Sequence, residues 1–222
     1  MAAERSRLIL ATRSSGKLRE LREILRDVEL EMTDLGVAGI PVNVDEDAIE
    51  SYPTFEQNAI AKARYFHRMS GGIPVIADDS GLVVDALDGA PGVLSKRYSG
   101  RSDLSGVELD RANNEKLMTE LARIDSERGA RGKSSRNRVA RYVCVAAYAG
   151  PKGELMEEGR IDGRIITEPR GASGFGYDPY FEAPELGGTF AEAGWALKSR
   201  VSHRGRAFRA LIHALRERGW TL

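Results

Sequence analysis

Two adjacent carboxylates, Asp78 and Asp79, stand between apolar runs in the stretch "IADDSGLVVDA". Like charges this close repel each other unless a cation, a proton or water relieves them. Carboxylate oxygens suit Mg²⁺, which takes one or two protein carboxylates together with substrate phosphates. A second acidic group, with Asp45, Glu46, Asp47 and Glu50, lies upstream. It could add metal ligands or form a solvated acidic loop, and both interpretations stay open.

A Ser/Gly-rich turn, "TRSSGK" from Thr12 to Lys17, lies between an apolar run and a charged amphipathic run. Backbone N–H groups at a helix start and the Lys17 ammonium can bind an anion such as phosphate. The turn is not a Walker motif, because the first glycine would fall on Ala11 and Leu18 replaces the magnesium-binding Ser/Thr. A plain capped helix start is the alternative.

Residues rich in hydrogen-bond donors lie near the C-terminus, where Lys198 and Arg200 come just before "SHRGR", the segment that contains His203. A basic helix start is electrostatically unfavourable with the helix dipole, so a polar ligand would explain it better than a surface position. Upstream, "GFGYDP" sets Phe175 and Tyr177 between glycines. Such aromatics can stack on a nucleobase or anchor the loop to the core.

Other chemistries find little support. Cys144 is the sole cysteine, which excludes an intramolecular disulfide and a cysteine zinc site and favours a buried inert thiol. His67, His203 and His213 are too scattered for zinc, and Ser80 has no G-x-S-x-G context. The basic run Arg128–Arg141 could be a nucleic-acid arm or a solvated loop.

The net charge does not favour binding to nucleic acid or membrane, because the 33 Lys and Arg residues are balanced by 33 Asp and Glu residues. No apolar run approaches a membrane span, and the N-terminus is too polar for a signal peptide. We therefore expect a cytoplasmic protein without membrane contact and without stable nucleic-acid binding.

Strands and helices alternate along the chain, which predicts an α/β protein. A capping box at Thr54 and Gln57 predicts a helix start. The two aspartates are predicted to lie between two separate strands, and Leu87–Gly106 to form a long ordered loop. Further predictions are a strand over 7–12, helices over 16–27, 54–66, 108–125 and 202–219, strands over 142–149 and 160–167, and an irregular segment over 171–181.

Five segments resemble the non-canonical purine nucleoside triphosphate pyrophosphatases, also called inosine/xanthosine triphosphate pyrophosphatases. They are "LATRSSGKLRE", "TFEQNAIAKAR", "ADDSGLVVDALDGAPGVLSKRYSG", "PRGASGFGYDPYF" and "SHRGRAF". The resemblance implies hydrolysis of ITP, dITP and XTP to monophosphate and pyrophosphate with Mg²⁺, which cleans the nucleotide pool. It also implies an elongated mixed α/β fold, a single domain over 1–222 with two lobes around a substrate cleft, and a homodimer.

The resemblance also implies roles for individual residues. Asp79 matches the catalytic carboxylate that binds metal and activates water, Glu50 matches a second metal ligand, and Asp78 supports them. The residues that match phosphate-binding positions are Thr12, Arg13, Ser14, Ser15, Gly16, Lys17, Lys62 and Ser80. Those that match the base-recognition wall are Phe175, Gly176, Tyr177, Asp178, Lys198, His203 and Arg204.

Three departures from the family pattern qualify these roles. Arg13 and Ser14 replace the usual Gly and Asn of the first motif, Leu197 replaces an acidic residue before Lys198, and Lys96 replaces a small residue. They are compatible with two alternatives. One is a pyrophosphatase that prefers another base, such as a modified pyrimidine, and the other is a nucleotide-binding module without turnover. Retention of Asp79 and Glu50 favours an enzyme.

Overall fold

The computed structural model describes residues 7–28, 31–43, 46–130 and 138–220. Within them the chain forms a mixed α/β fold with a seven-stranded sheet. The strands are β1 (Arg7–Leu10), β2 (Glu31–Asp34), β3 (Val75–Val84), β4 (Val139–Gly150), β5 (Gly153–Ile165), β6 (Phe181–Ala183) and β7 (Gly188–Thr189). The α-helices are α1 (Ser15–Ile24), α2 (Glu46–Ile49), α3 (Phe55–Met69), α4 (Gly106–Ala130), α5 (Trp195–Val201) and α6 (His203–Glu217).

The sheet is mixed, as its strand order β2-β1-β3-β4-β5-β6-β7 and its pairings show. Strand β1 pairs in parallel with both β2 and β3, whereas β6 pairs antiparallel with β5 and β7. Parallel neighbours need crossover connections, and α1 and α3 supply them between the first three strands.

The chain divides into two compact units, and the divisions fall within β3, β4 and β5 and between α5 and α6. The first unit comprises Met1–Asp79, Cys144–Arg160 and Ser202–Leu222. The second comprises Ser80–Val143 and Ile161–Val201.

The first unit has an apolar cluster on each face of its part of the sheet. On one face, Leu8, Leu10 and Ile76 pack against α1 and α6. On the other, Ile9, Val75 and Ala77 pack against α3. This alternation follows from the two-residue period of a strand, which sends neighbouring side chains to opposite faces.

The second unit is built around aromatic side chains. The rings of Tyr142 and Phe181 meet at a centroid distance of 4.7 Å, and Phe181 meets Phe190 edge to face at 5.1 Å. Leu117 and Leu121 of α4 are buried in the same cluster. Edge contacts of this kind stabilise a core beyond the area they bury.

Most predicted helices are confirmed. Thr54 caps α3 by accepting the Gln57 N–H at 3.3 Å. The closing helix α6 buries its whole predicted apolar face, Ala207, Phe208, Leu211, Ile212 and Leu215. Helix α4 extends beyond the predicted range to Ala130, and the predicted loop Leu87–Gly106 contains a 3-10 helix at Gly92–Arg97.

One prediction is wrong: Asp78 and Asp79 do not separate two strands but lie in the middle of the single strand β3. A buried strand can continue through both carboxylates because each has polar partners, described in the next section. Part of the basic run, residues 131–137, lies outside the described residues. Of its remaining members, Arg138 pairs with Asp125 and Arg141 with Asp85.

Across the described ranges, no helix combines the length and apolarity needed to cross a membrane.

Candidate active site

The two carboxylates of β3 belong to different faces of the sheet, because they are consecutive in a strand. Asp78 continues the row of Ile76, which faces α1 and α6. Asp79 continues the row of Val75 and Ala77, which faces α3. The apparent pair of like charges is therefore divided between two environments.

Asp78 is fully buried and pairs with two cations. The Lys17 Nζ lies 3.1 Å from its Oδ2, and the Arg204 Nε lies 3.3 Å from the same oxygen. Burial alone would raise the pKa of Asp78, but the charges of Lys17, Arg204 and Lys62 outweigh it and hold the pKa far below its usual range. Asp78 is thus a permanent anion that orders the cations around it.

A buried carboxylate that the sequence did not reveal completes this network. Glu20, on α1, forms an ion pair with Arg204, on α6. Burial would lower the pKa of Arg204, but Glu20 and Asp78 raise it. Arg204, predicted to recognise the base, has its guanidinium engaged by these two carboxylates. Cys144 lies beside them, with its Sγ 3.8 Å from Asp78, and burial raises the pKa of this thiol, as expected for an inert cysteine.

Asp79 accepts a hydrogen bond from the Asn58 Nδ2 at 2.9 Å. Burial is the largest influence on the pKa of Asp79 and raises it, although Lys17 and Lys62 act in the opposite direction. Asn58 is itself fully buried in α3 and also holds the backbone N–H of Tyr52 at 2.9 Å. It therefore links Asp79 to the segment that follows Glu50.

Lys62 connects Glu50 to β3. Its Nζ donates to the Asp78 carbonyl at 2.7 Å and forms an ion pair with the Glu50 carboxylate. Asn58 and Lys62 lie one helical turn apart on α3, which brings both to the same face. The spacing of these two polar residues could have identified Asn58 from the sequence.

The donor set suits Mg²⁺ better than a metal that needs a complete protein cage. Among the described residues, no group of three or more His, Cys, Asp or Glu side chains is arranged to hold a metal. Asp79 and Glu50 are nevertheless close enough to influence each other's charge. Two carboxylates are sufficient for Mg²⁺ when substrate phosphates and water complete its coordination.

The Ser/Gly turn forms the predicted start of α1. Ser14 is the N-cap, and its Oγ accepts the Lys17 N–H at 3.3 Å, while Thr12 Oγ1 accepts the Ser14 N–H at 3.1 Å. Ser15 and Gly16 form the first turn of the helix. Ser80, the remaining predicted phosphate contact, follows Asp79 directly on β3 and is half-buried.

Arg13 has a different environment from the one predicted. Its Nε and Nη2 bind the two carboxylate oxygens of Glu46 at 3.0 and 2.7 Å. Its terminal nitrogens also donate to the carbonyls of Ile40 and Pro41 at 3.1 and 2.9 Å. Since the guanidinium is committed to this segment, a phosphate contact of Arg13 would come from its backbone.

In the second unit, the predicted base-recognition residues form a compact group. Asp178 Oδ2 accepts the Phe175 N–H at 2.9 Å and the Lys198 Nζ at 2.6 Å. The Lys198 ammonium also lies over the Phe175 ring, 5.2 Å from its centroid. A side chain at Gly174, whose φ is +87°, would overlap Asp178, so the loop requires glycine there. Although Leu197 replaces the acidic residue that usually precedes this lysine in the family, Asp178 and Phe175 orient Lys198.

Tyr177 anchors the loop to the core and is not an exposed aromatic. Its ring is buried, and its hydroxyl donates to the Ser95 carbonyl at 2.8 Å. Phe175 is half-buried and is therefore more exposed than Tyr177. His203 is buried at the start of α6 in the first unit, next to the capping residue Ser202.

Comparison with known proteins assigns the chain to a family. The model of the Ham1 family matches residues 8–214. A dITP/XTP pyrophosphatase of Frankia alni is 44% identical over 95% of this chain and 98% of its own length, and one of Geobacter sulfurreducens is 43% identical over 97% and 98%.

Solved structures agree with this assignment. A HAM1 protein from Coxiella burnetii superposes with a TM-score of 0.75 at 36% identity, covering 95% of this chain and 98% of that one. A nucleoside-triphosphatase / dITP/XTP pyrophosphatase from Mycobacterium abscessus gives a TM-score of 0.66 at 38% identity, covering 93% and 98%. The chain therefore belongs to the Ham1 family.

Proposed function

We propose that this protein hydrolyses the non-canonical purine nucleoside triphosphates ITP, dITP and XTP to the monophosphate and pyrophosphate. The observation that carries the proposal is the buried Asp79, oriented by Asn58 and accompanied by Lys17, Lys62 and Glu50. Relatives of similar length carry the name dITP/XTP pyrophosphatase, which supports dITP and XTP as the substrate class.

Mg²⁺ is the proposed cofactor, with Asp79 and Glu50 as its protein ligands. When bound, it would supply positive charge that polarises the phosphoryl oxygens of the triphosphate. The cation Lys62 already pairs with Glu50, which indicates that this position favours positive charge. Asp78 takes no direct part and acts by holding Lys17 and Arg204 in place.

The chain's own side chains would then perform three tasks. Asp79 accepts a proton from the attacking water, and Asn58 keeps its carboxylate in one orientation. Lys17 and Lys62 stabilise the charge that develops on the phosphates, helped by the first turn of α1, in which Ser15 and Gly16 lie. Water adds to phosphorus, the anhydride bond between the α and β phosphates breaks, and pyrophosphate leaves.

Base selectivity would come from the group around Lys198 and Phe175. A 6-oxo purine presents an acceptor that an ammonium can donate to, whereas adenine presents an amino group. Each buried donor left without an acceptor costs about 1–3 kcal/mol, so a few such mismatches would together reject adenine nucleotides strongly. Phe175 supplies a ring face for stacking.

The proposal is tested by one reaction with the purified protein and Mg²⁺. dITP and XTP are compared with dATP, dGTP and dUTP, and pyrophosphate and orthophosphate are measured separately. We expect pyrophosphate from dITP and XTP, with little from dATP and dUTP, and loss of at least ~10²-fold in kcat for Asp79→Asn. The rate on dGTP, which shares the 6-oxo group, measures whether the amino group at C2 is rejected as well. Orthophosphate release, or a pyrimidine as the best substrate, would contradict the assignment.

We also propose that the protein is a cytoplasmic homodimer whose two units act as lobes of one domain, as the family resemblance implies. Light scattering after size-exclusion chromatography measures the mass directly. A particle of about twice the 24.3 kDa chain mass is expected, and a mass of one chain would contradict the dimer.

A further inference from the structure

The loop that carries Phe175 is held by a helix that contributes no predicted site residue. Gly176 donates its backbone N–H to the Asp110 Oδ2 at 2.8 Å. The Asn114 Nδ2 donates to the carbonyl oxygen of the same Gly176 at 2.9 Å. Asp110 and Asn114 lie four residues apart on α4, so adjacent turns of one helix bind both polar groups of one loop residue.

The geometry of this contact fixes the conformation of the loop at its most adaptable residue. Gly176 has a φ of +63°, a left-handed conformation that glycine adopts readily but does not hold by itself. Asn114 is about nine-tenths buried, and its Nδ2 also donates to the Asp110 carbonyl at 2.9 Å. The two side chains therefore form a rigid clamp, which we call the α4 clamp.

The α4 clamp lies between two other anchors. On one side Asp178 holds the Phe175 N–H, and on the other Ser95 holds the Tyr177 hydroxyl. Without the clamp, the peptide on either side of Gly176 could rotate while both outer anchors stay in place. The Phe175 ring would then lose its fixed position under the Lys198 ammonium.

We propose that Asp110 and Asn114 are positioning residues that set base selectivity by fixing Phe175 and Gly176. This inference rests on the proposed function, in which the loop meets the purine. Asp110 and Asn114 bind the backbone of Gly176 in the second unit, whereas the side chains proposed to act on the water and the phosphates belong to the first unit. Neither residue is therefore assigned a role in the phosphate chemistry. Their loss should therefore raise KM and relax discrimination between bases, with a smaller effect on kcat.

The experiment compares Asp110→Ala, Asn114→Ala and Asn114→Asp with the wild type on dITP, dGTP and dATP. We expect the ratio of kcat/KM for dITP to that for dATP to fall by about tenfold in each alanine variant, the size expected from losing one or two hydrogen bonds. Asn114→Asp should be the most impaired, since it places a carboxylate against the Gly176 carbonyl. Asp110 is partly exposed, so its alanine variant should keep the fold.

Two controls separate positioning from general damage. Asp110→Asn retains an oxygen that can accept the Gly176 N–H, so it should restore most of the selectivity. Thr119→Ala removes a hydroxyl of the same helix that binds the Glu115 carbonyl, at a site remote from Gly176, and should change nothing. Variants that melt at lower temperature but keep the wild-type selectivity ratio would overturn the inference.

Binding measurements make the result independent of turnover. Titration calorimetry compares dIMP with dAMP for the wild type and for Asp110→Ala. If the wild type hydrolyses no triphosphate, the proposed function is wrong. The preference for dIMP over dAMP in binding still tests whether Asp110 and Asn114 position the loop. A preference for dIMP that survives in Asp110→Ala would contradict the role of the α4 clamp.

Discussion

At the scale of single residues, Asp78 and Asp79 have opposite electrostatic roles although they are neighbours. Asp78 is stabilised as an anion by Lys17 and Arg204, whereas burial raises the pKa of Asp79 and makes its charge unfavourable for folding. This difference is typical of a structural ion-pair network next to a functional carboxylate. Replacing Asp78 and replacing Asp79 should therefore change the free energy of unfolding in different ways.

We predict that Asp78→Asn destabilises the protein by about 3–5 kcal/mol, because it removes the buried carboxylate that Lys17 and Arg204 share, while Arg204 keeps its ion pair with Glu20. Asp79→Asn should be neutral or stabilising without Mg²⁺, since it removes a charge that burial disfavours. Urea unfolding at pH 7 measures both. Equal losses for the two variants would contradict the assigned roles.

The pH dependence of these effects follows from the direction of each pKa shift. The pKa of Asp78 is lower in the folded protein than its unfolded value of about 3.9, so its contribution is complete above that pH and is lost as the pH falls below it. The pKa of Asp79 is raised, so the gain from Asp79→Asn should disappear in acid. Unfolding curves between about pH 2 and 7 would follow both trends.

Arg13 shows how a departure from the family pattern acquires a structural role. In place of the usual glycine, its guanidinium binds Glu46 and two carbonyls and thereby connects α2, which precedes Glu50, to the Ser/Gly turn that begins α1. Arg13→Gly should lower stability by about 1–2 kcal/mol and raise the Mg²⁺ concentration needed for half-maximal activity. Arg64→Ala, which removes an exposed pair with Glu154, is the matched control.

The stability effect of Arg13→Gly should itself depend on pH. The hydrogen bond with Arg13 is the main cause of the lowered pKa of Glu46. The contribution of this pair is therefore present above the unfolded pKa of about 4.3 and is lost at lower pH. A Mg²⁺ requirement that does not change in Arg13→Gly would show that α2 is held by other contacts.

At the scale of elements, the sequence identifies helices more reliably than polar residues on buried faces. The caps at Ser14, Thr54 and Ser202 and the apolar face of α6 depend on neighbours within a few residues. Asn58 meets Asp79 across 21 residues, and Glu20 meets Arg204 across 184. Local patterns do not specify such distant partners, which is why β3 seemed interrupted. The spacing of Asn58 and Lys62 does indicate a polar face of α3, whereas no residue near Glu20 in the sequence points to Arg204.

The packing of α6 against β5 gives a prediction at this scale. Gly159 of β5 lies so close to α6 that a Cβ there would overlap the His203 carbonyl and the Ala207 N–H. Gly159→Ala should push the first turn of α6, with Arg204, away from its partners and destabilise the protein by about 1–3 kcal/mol. Thermal unfolding measures this, with Gly194→Ala, where a Cβ meets nothing within 4 Å, as the control. An unchanged melting temperature for Gly159→Ala would contradict the close packing.

At the scale of the whole molecule, the α/β class and the family follow from the sequence because motifs are spread over nearly its entire length, and the family match covers residues 8–214. The roles of individual residues do not follow from the sequence in the same way. Arg204 matches a base-recognition position, yet its contacts with Glu20 and Asp78 belong to the charge network of the first unit. A motif specifies which residue is present, whereas its partners depend on packing.

Removal of the metal tests how far activity and folding are separate in the whole molecule. Asp79 already has Asn58 as a partner and Glu50 has Lys62, so the fold does not depend on Mg²⁺ to relieve these carboxylates. We predict that EDTA abolishes pyrophosphate release while the melting temperature changes by less than about 2 °C, which is under 1 kcal/mol for a chain of this size. With Mg²⁺ and dIMP together the melting temperature should rise, because both bind the native state. A large fall in melting temperature with EDTA alone would mean that the metal is part of the fold, and Lys62 would then not be sufficient to balance Glu50.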